Sequence, residues 1–460
     1  MYLKRSTLNY LILIFLILLF LIQVIFLLPS PYGDSNTFLE LSFYICREDL
    51  FIASRAGESL RSSPLYPFYH HGWFYYYLLA KFNLPCSLRG IFVFNYILIL
   101  ITSLFSYKIL NKVENNYFIK TFVLLLICLL QISLQFRPEV FTIFISVLLI
   151  YFLKKNYNFL IGILFAFLFY TQPVIMCFLG LFLLIFYYKK IIKNLIKILF
   201  GFIIFFIFLT YVYPYSLLDF IQGIYTNRGT FVAGTPYEFI LKDLYSYYII
   251  PKFIPFWGIL FLIIIFTLIK KNYFFLVSLP FMIFFGPRVP MSNYVLIGLT
   301  PFLLLSQYSV LIYKDNYLNK IRKNLLLIVL FLLVVVGYTQ YFARNLLTIY
   351  FFNNELKKTT LFLSNNLDKM NNIPEFGHMI NQDLKLKGTG LDLSKKNYFK
   401  PEASNYVGSS KYSFNVYRVN GVPNPCPGKN IDYIDPSIYI FGHKIFNSNA
   451  GYGIWICKIN

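Results

Sequence analysis

Residues 139–190 decide the fold, and they read EVFTIFISVLLIYFLKKNYNFLIGILFAFLFYTQPVIMCFLGLFLLIFYYKK. Three apolar runs fill this stretch, centred on residues 141–153, 159–170 and 174–188. Lysine pairs follow the first run (Lys154 and Lys155) and the third (Lys189 and Lys190). A membrane helix needs about 20 mostly apolar residues. The runs therefore predict membrane helices that extend past these cores or pair as re-entrant segments.

The same pattern continues in both directions along the chain. Hydrophobic residues make up 58% and charged residues only 13%, whereas soluble domains carry roughly a quarter charged residues. We expect an all-α polytopic membrane protein with about eleven transmembrane helices. The expected helix cores are residues 8–28, 90–110, 117–134, 141–153, 159–170, 174–188, 198–212, 253–269, 273–285, 294–312 and 325–341.

The positive charge orients the chain in the membrane. The net charge is +22, and its lysines and arginines gather in every second loop between the apolar runs. Because basic loops stay in the cytoplasm, we expect a cytoplasmic N-terminus and, with an odd number of helices, an extracytoplasmic C-terminus. No basic stripe with interleaved aromatics lies outside the membrane segments, so no nucleic-acid partner is expected. We favour a bacterial inner membrane because no retrieval signal ends the chain; the endoplasmic reticulum membrane is the alternative.

Two domains follow from this pattern. Residues 1–344 form the membrane domain, with residues 29–89 as its first extracytoplasmic loop. Residues 345–460 form a smaller α+β extracytoplasmic domain, with a helix at 354–370 and strands at 412–419, 436–446 and 452–459. Four cysteines fall on the expected outside, which favours the disulfides Cys46–Cys86 and Cys426–Cys457. Four free thiols are the alternative.

Polar side chains gather at the expected outer face, where ionisable groups at helix ends are functional candidates. Asp34 follows the first helix, and it is either a functional acid or a helix cap. Arg137 and Glu139 stand together between the third and fourth cores. Glu139 is a candidate site residue or a charge that suits the positive end of a helix.

Two further outer segments carry candidates. His70 and His71 open an aromatic run that also contains Trp73 and reads first as an interfacial belt. Arg288 lies in GPRVPMSNY, where an arginine either snorkels to headgroups or binds a lipid phosphate. None of these positions is specific alone, whereas their order along the chain is informative.

This order resembles the GT-C class of membrane glycosyltransferases, and above all the branch of the protein O-mannosyltransferases and the lipid A aminoarabinose transferase. The matching features are Asp34 at the start of the first outer loop, FYHHGWFYYYLLAKFN with Leu88 and Arg89, then Arg137-Pro138-Glu139, Thr171-Gln172-Pro173, and Arg288 with Tyr294 and Pro301. The resemblance covers about residues 1–341. The chain departs from the family where Ser35, and no second acid, follows Asp34, and where His71-Gly72 replaces Pro-Pro.

The resemblance implies an inverting sugar transfer from a polyprenyl-phosphate donor to an acceptor on the extracytoplasmic face. Asp34 would be the base, and Glu139 would orient the acceptor. These two acids are also the implied ligands of a divalent cation, Mg²⁺ or Mn²⁺. The donor phosphate would meet cationic or imidazole side chains, namely Arg137, Arg288, Arg89, His70 and His71.

Three other classes stay open. A transporter or lipid flippase needs a polar pathway through the bilayer, commonly between internal repeats, and no repeat is evident in this sequence. An O-antigen polymerase or ligase is also multi-pass and uses lipid-linked substrates, but it centres on a large later loop rich in Arg and His. A non-enzymatic assembly subunit is the third alternative.

Overall fold

The computed structural model describes the chain in segments. These are residues 5–26, 42, 45–46, 72–82, 88–111, 117–134, 137–213, 216–218, 220–221, 305, 320–351, 414–419, 430–434, 437–440, 443–447 and 453–458. Apart from Leu305, the expected helices between residues 253 and 312 lie outside the described residues, and so does the expected helix at 354–370.

The described part is mostly helical. Its helices are α1 (Arg5–Phe26), α2 (Phe74–Phe82), α3 (Leu88–Leu110), α4 (Tyr117–Ser133), α5 (Glu139–Lys155), α6 (Asn158–Thr171), α7 (Pro173–Lys193), α8 (Leu195–Val212) and α9 (Lys320–Phe351). Every expected helix core that falls among the described residues is helical. The short helix α2 was not expected.

Several of these helices are long and apolar enough to cross a membrane. Among the described residues, Arg89–Leu110 and Leu195–Val212 meet that standard, and Ile175–Leu184 with Tyr187–Lys193 adds a third if this bent pair is one span. Shorter apolar helices are Ile14–Ile25, Tyr117–Ser133, Asn158–Thr171 and Leu327–Ala343. The described part is therefore mostly helical, with two helices, or three if the bent pair is one span, that are suited by length and composition to cross a membrane.

The chain divides into two compact units. The first comprises Met1–Pro64, Asn83–Val93 and Tyr341–Asn460, and the second comprises Leu65–Phe82 and Phe94–Gln340. In the first unit, Gln23 Nε2 of α1 donates to the Tyr341 hydroxyl of α9 at 2.7 Å. The expected boundary between residues 344 and 345 stays a prediction.

Helix α6 is the centre of the second unit, where it packs against α2, α5, α7 and α8. It approaches α8 at two glycines. A Cβ at Gly162 would lie 2.0 Å from the Ile198 carbonyl oxygen, and one at Gly201 would lie 2.2 Å from the Phe159 carbonyl oxygen. Small residues allow such close backbone approach between membrane helices.

Local signals set the ends of the helices that carry the site. Helix α5 ends at Asn156, which takes the left-handed conformation (φ 61°) and donates its backbone N–H to the Leu153 oxygen. Gln172 is extended (φ −149°, ψ 82°) and separates α6 from α7. Pro173 explains this break, since the residue before a proline is driven out of the helical region.

The strands pair in two antiparallel sheets. Strands β1 (Phe414–Val419), β5 (Gly453–Lys458) and β2 (Asn430–Ile434) form one sheet in the order β1-β5-β2, with Tyr417 and Asp432 opposite Trp455 and Ile456. Strands β3 (Ser437–Ile440) and β4 (His443–Asn447) form the other. The segment 436–446 was expected as one strand, but it contributes to both β3 and β4. Only two residues separate this pair, which is the commonest length of a hairpin connection.

The cysteines agree in part with the disulfide expectation. Cys46 is disulfide-bonded, and Cys128 and Cys177, inside the expected membrane helices, are free. Cys86 and Cys426 lie outside the described residues, so the two pairings stay predictions.

Candidate functional site

Glu139 is the first residue of α5, and its side chain is fully buried. Arg137, two residues earlier, is also buried, with 5% of its surface exposed. Arg137 Nε donates to Glu139 Oε2 at 3.2 Å. A buried ion pair is costly unless hydrogen bonds satisfy its remaining atoms. The two side chains that the sequence placed together are therefore in direct contact, and the surrounding polar groups decide what the pair can do.

Gln172 binds the other carboxylate oxygen. Its Nε2 donates to Glu139 Oε1 at 3.0 Å, and its own Oε1 accepts from the Thr142 hydroxyl at 2.8 Å. Thr142 lies one turn into α5, whereas Gln172 lies at the corner between α6 and α7. Each oxygen of Glu139 thus accepts a separate N–H, and rotation of the carboxylate would break one of these bonds.

A second layer of polar contacts supports the first turn of α5. Gln131 Nε2 of α4 donates to the Val140 backbone oxygen at 3.2 Å and to the Thr102 hydroxyl of α3 at 3.0 Å. Thr102 in turn donates to the Leu98 oxygen within its own helix. Because Val140 follows Glu139 directly, Gln131 holds the backbone from which the site's carboxylate projects.

Tyr75 of α2 contributes a buried phenol close to this carboxylate. Its hydroxyl donates to Asn95 Oδ1 of α3 at 2.9 Å. Burial raises the pKa of Tyr75 above its usual value, the hydrogen bond with Asn95 lowers it, and the negative charge of Glu139 raises it further. Tyr75 therefore stays a neutral hydrogen-bond donor. Its ring lies 6.1 Å from that of Phe141 in the first turn of α5, so α2 borders the site.

Gly72 and Trp73 seat the start of α2 on α6. The Gly72 backbone N–H donates to the Thr171 oxygen at 2.6 Å, and a Cβ at Gly72 would lie 1.8 Å from the Tyr170 oxygen. Trp73 stacks on Tyr213 with ring centroids 5.1 Å apart. The sequence favoured an interfacial belt for the aromatic run that contains Trp73, but in the structure Trp73 is buried. The reason is the glycine, which lets this segment pack directly on α6.

The structure does not place the other predicted site residues in this cluster. Arg89 lies in the first turn of α3 with an exposed side chain. Asp34, His70, His71 and Arg288 lie outside the described residues, so their places in the site stay predictions.

The surroundings of Glu139 do not fit a metal ligand. Both of its oxygens accept from N–H groups, and the positive guanidinium of Arg137, in contact with Oε2, would repel a cation bound beside it. Within the described ranges no three His, Cys, Asp or Glu side chains come together. Asp34, the other expected metal ligand, lies outside these ranges.

Sequence reasoning overlooked most partners of the ion pair. Thr142 stands three residues after Glu139, on the same face of a helix. Gln131 is a lone amide in an apolar run. These spacings were visible signals, whereas the contacts of Tyr75 and Asn95 depend on how separate helices pack.

Comparison with known proteins gives no relative: no family model, no curated protein and no solved structure matches the chain.

Proposed function

We propose that the chain is a glycosyltransferase that moves a sugar from a polyprenyl-phosphate donor to an acceptor on the extracytoplasmic face of the membrane. The observation that carries the proposal is the buried Arg137–Glu139 pair, fixed by Gln172, at one end of a set of apolar helices. A lipid-linked donor enters from the bilayer, and its phosphate needs a cationic partner near a helix end. Arg suits phosphate because its guanidinium offers paired N–H donors.

The proposed step is a displacement at the anomeric carbon. An acceptor hydroxyl attacks this carbon, the bond from the carbon to the donor phosphate oxygen breaks, and polyprenyl phosphate leaves. Asp34 takes the hydroxyl proton. Glu139 orients the groups around it, and its contact with Arg137 holds the guanidinium toward the phosphate. Arg288, Arg89, His70 and His71 are the further proposed contacts of the donor.

The proposed architecture has about eleven transmembrane helices, with an extracytoplasmic α+β domain after residue 344. The bacterial inner membrane is the proposed location, with the N-terminus in the cytoplasm. Helix α5 supports this orientation, because Glu139 opens it and Lys154 and Lys155 close it. Basic residues favour the cytoplasmic end, so the ion pair would lie on the opposite side.

The test is release of label from radiolabelled polyprenyl-phosphate sugars by the purified protein in lipid nanodiscs, with and without Mg²⁺ or Mn²⁺. We expect Asp34→Asn to lower turnover by about 10²- to 10⁴-fold, the usual contribution of a general base. Arg137→Lys keeps the charge but loses the fork, and we expect a loss of about 10- to 100-fold, as for a hydrogen bond to a charged group. Lys81→Gln, an exposed change on α2, is the control with unchanged turnover.

Three buried polar side chains within the helices favour a transporter or flippase as the second candidate. Ser106, Gln131 and Ser146 are fully buried, and each has a side-chain oxygen with no hydrogen-bond partner among the described residues. A transport pathway needs such polar atoms inside the bilayer. No turnover with any donor by folded protein, together with movement of labelled lipid across proteoliposomes, would replace the transferase proposal with this one.

A further inference from the structure

Two lysine-rich segments meet at the end of α5 that lies opposite Glu139. The Lys190 ammonium donates to the Leu153 backbone oxygen, near the C-terminus of α5. This bond joins the end of α5 to the last part of α7, which follows a bend within that helix. We call the resulting group the lysine patch, and its members are Lys155, Lys189, Lys190, Lys193 and Lys197.

The chain bends sharply at this patch. Tyr187 has non-helical backbone angles (φ −125°, ψ 21°) inside α7. As a result, the axes of Ile175–Leu184 and Tyr187–Lys193 differ by 97°. Leu195–Val212 then follows as a candidate span. If Ile175–Leu184 enters the bilayer along its normal, Tyr187–Lys193 lies almost in the plane of the membrane surface.

The segment after the bend has the chemistry of an interfacial helix. Lys189 and Lys193 are exposed, and so are the apolar side chains of Ile192 (63%) and Ile196 (83%). Exposed apolar groups that alternate with lysines suit the boundary between headgroups and acyl chains. Lysine stems lie along such apolar surface while their ammonium groups reach the phosphate layer.

No acidic residue lies near the patch in the sequence. Residues 140–218 contain neither Asp nor Glu. Glu139 is at the other end of α5, whose 17 residues span about 25 Å at 1.5 Å per residue. This distance exceeds the screening length of about 8 Å at physiological salt. The exposed ammonium groups of the patch attract phosphates as point charges.

We propose that the lysine patch binds the headgroup phosphates of anionic membrane lipids, and that this binding anchors the bent C-terminal part of α7 at one membrane surface. The occupant is a bilayer leaflet rather than a soluble anion, because the lysines stand beside exposed apolar side chains. This is the side that the sequence predicts to be cytoplasmic, where anionic lipid attracts basic segments. The proposal does not depend on the transferase function.

The test places the full-length protein in nanodiscs of phosphatidylcholine, with or without phosphatidylglycerol. Native mass spectrometry then identifies the lipids that stay bound when the protein is released from the nanodisc. Lys189→Gln with Lys193→Gln removes two exposed charges of the patch. We expect the preference for phosphatidylglycerol to fall by about 25-fold, at about fivefold per lysine. The matched control is a single-charge pair: Lys193→Gln alone should lower the preference about fivefold, whereas Lys81→Gln, which removes one exposed charge on α2, should change it by less than about twofold.

Two further arms use the wild-type protein, so they hold even if the double variant does not fold. High salt should weaken retention of phosphatidylglycerol, because exposed charges are screened. Millimolar inorganic phosphate should not displace it. Equal retention of both lipids by the wild type, an equal loss in the control variant, or displacement by inorganic phosphate would each overturn the proposal.

Discussion

At the residue scale, two buried glutamines differ in the charge of the groups to which they donate hydrogen bonds. Gln172 donates to the carboxylate of Glu139, whereas Gln131 donates only to the neutral oxygens of Val140 and Thr102. A hydrogen bond to a charged group contributes about 1.5–3 kcal/mol, compared with about 1 kcal/mol for a neutral pair. Gln131 also carries a buried oxygen with no partner in the described part of the chain, which an apolar side chain would remove.

We predict that Gln172→Leu lowers the free energy of unfolding by about 1.5–3 kcal/mol, because the buried Glu139 loses one of its donors. Gln131→Leu, of the same size and at a similar depth, should cost about 1 kcal/mol or less. Denaturant unfolding in detergent micelles, followed by circular dichroism, measures both. Equal costs for the two variants would mean that Gln172 does not stabilise the charge of Glu139.

The sequence predicted the two charged residues of the ion pair, Arg137 and Glu139, but not the polar residues that surround them. Arg137 and Glu139 stand two residues apart in the chain and are charged in an apolar context, so the sequence alone points to them. Gln172 stood out only through the corner with Pro173. Its contact with Glu139 depends on how α5 and α6 pack, and a single sequence carries no direct signal of that packing.

At the element scale, apolar runs predicted helices well because backbone groups in a bilayer must bond within their own segment. The bend at Tyr187 and the helix α2 were not predicted. No proline or glycine marks Tyr187, and α2 owes its place to the close contact of Gly72 with α6. Tertiary packing determines both the bend and the position of α2, and local periodicity in the sequence carries no information on that packing.

The approach of α6 and α8 gives a prediction at this scale. Replacement of a mid-helix glycine by alanine normally stabilises a helix by about 0.5–1 kcal/mol. At Gly162, however, the new Cβ would meet the Ile198 oxygen at 2.0 Å. We predict that Gly162→Ala lowers the free energy of unfolding by about 1–3 kcal/mol, the usual cost of overpacking.

Gly180 in α7 is the matched control for that measurement. A Cβ there would meet only the Phe165 ring, at an ordinary 3.7 Å. Gly180→Ala should therefore stabilise the protein, so the two variants differ in sign under the same unfolding assay. A stabilised Gly162→Ala protein would contradict the close approach of the two backbones.

The arrangement of charge over the whole molecule yields the last prediction. Helix α5 begins at the buried Glu139 and ends at Lys155, after 17 residues. At 1.5 Å per residue this is about 25 Å, close to the hydrocarbon thickness of about 30 Å. Lys155 should therefore lie on the opposite side of the membrane from Glu139, and the basic loops place Lys155 in the cytoplasm.

Cysteine accessibility tests this layout with Lys155→Cys and Lys81→Cys, both made at exposed positions in a Cys177→Ser background. A membrane-impermeant maleimide applied to intact cells should modify residue 81 alone, and applied to inverted vesicles it should modify residue 155 alone. Mass spectrometry of the peptides that carry each position reads the result. Modification of both from one side would mean that α5 does not cross the membrane. The reverse pattern would put the Arg137–Glu139 pair on the cytoplasmic side, where it would meet nucleotide-linked rather than lipid-linked sugars, and the proposed transfer would then have its site on the wrong face.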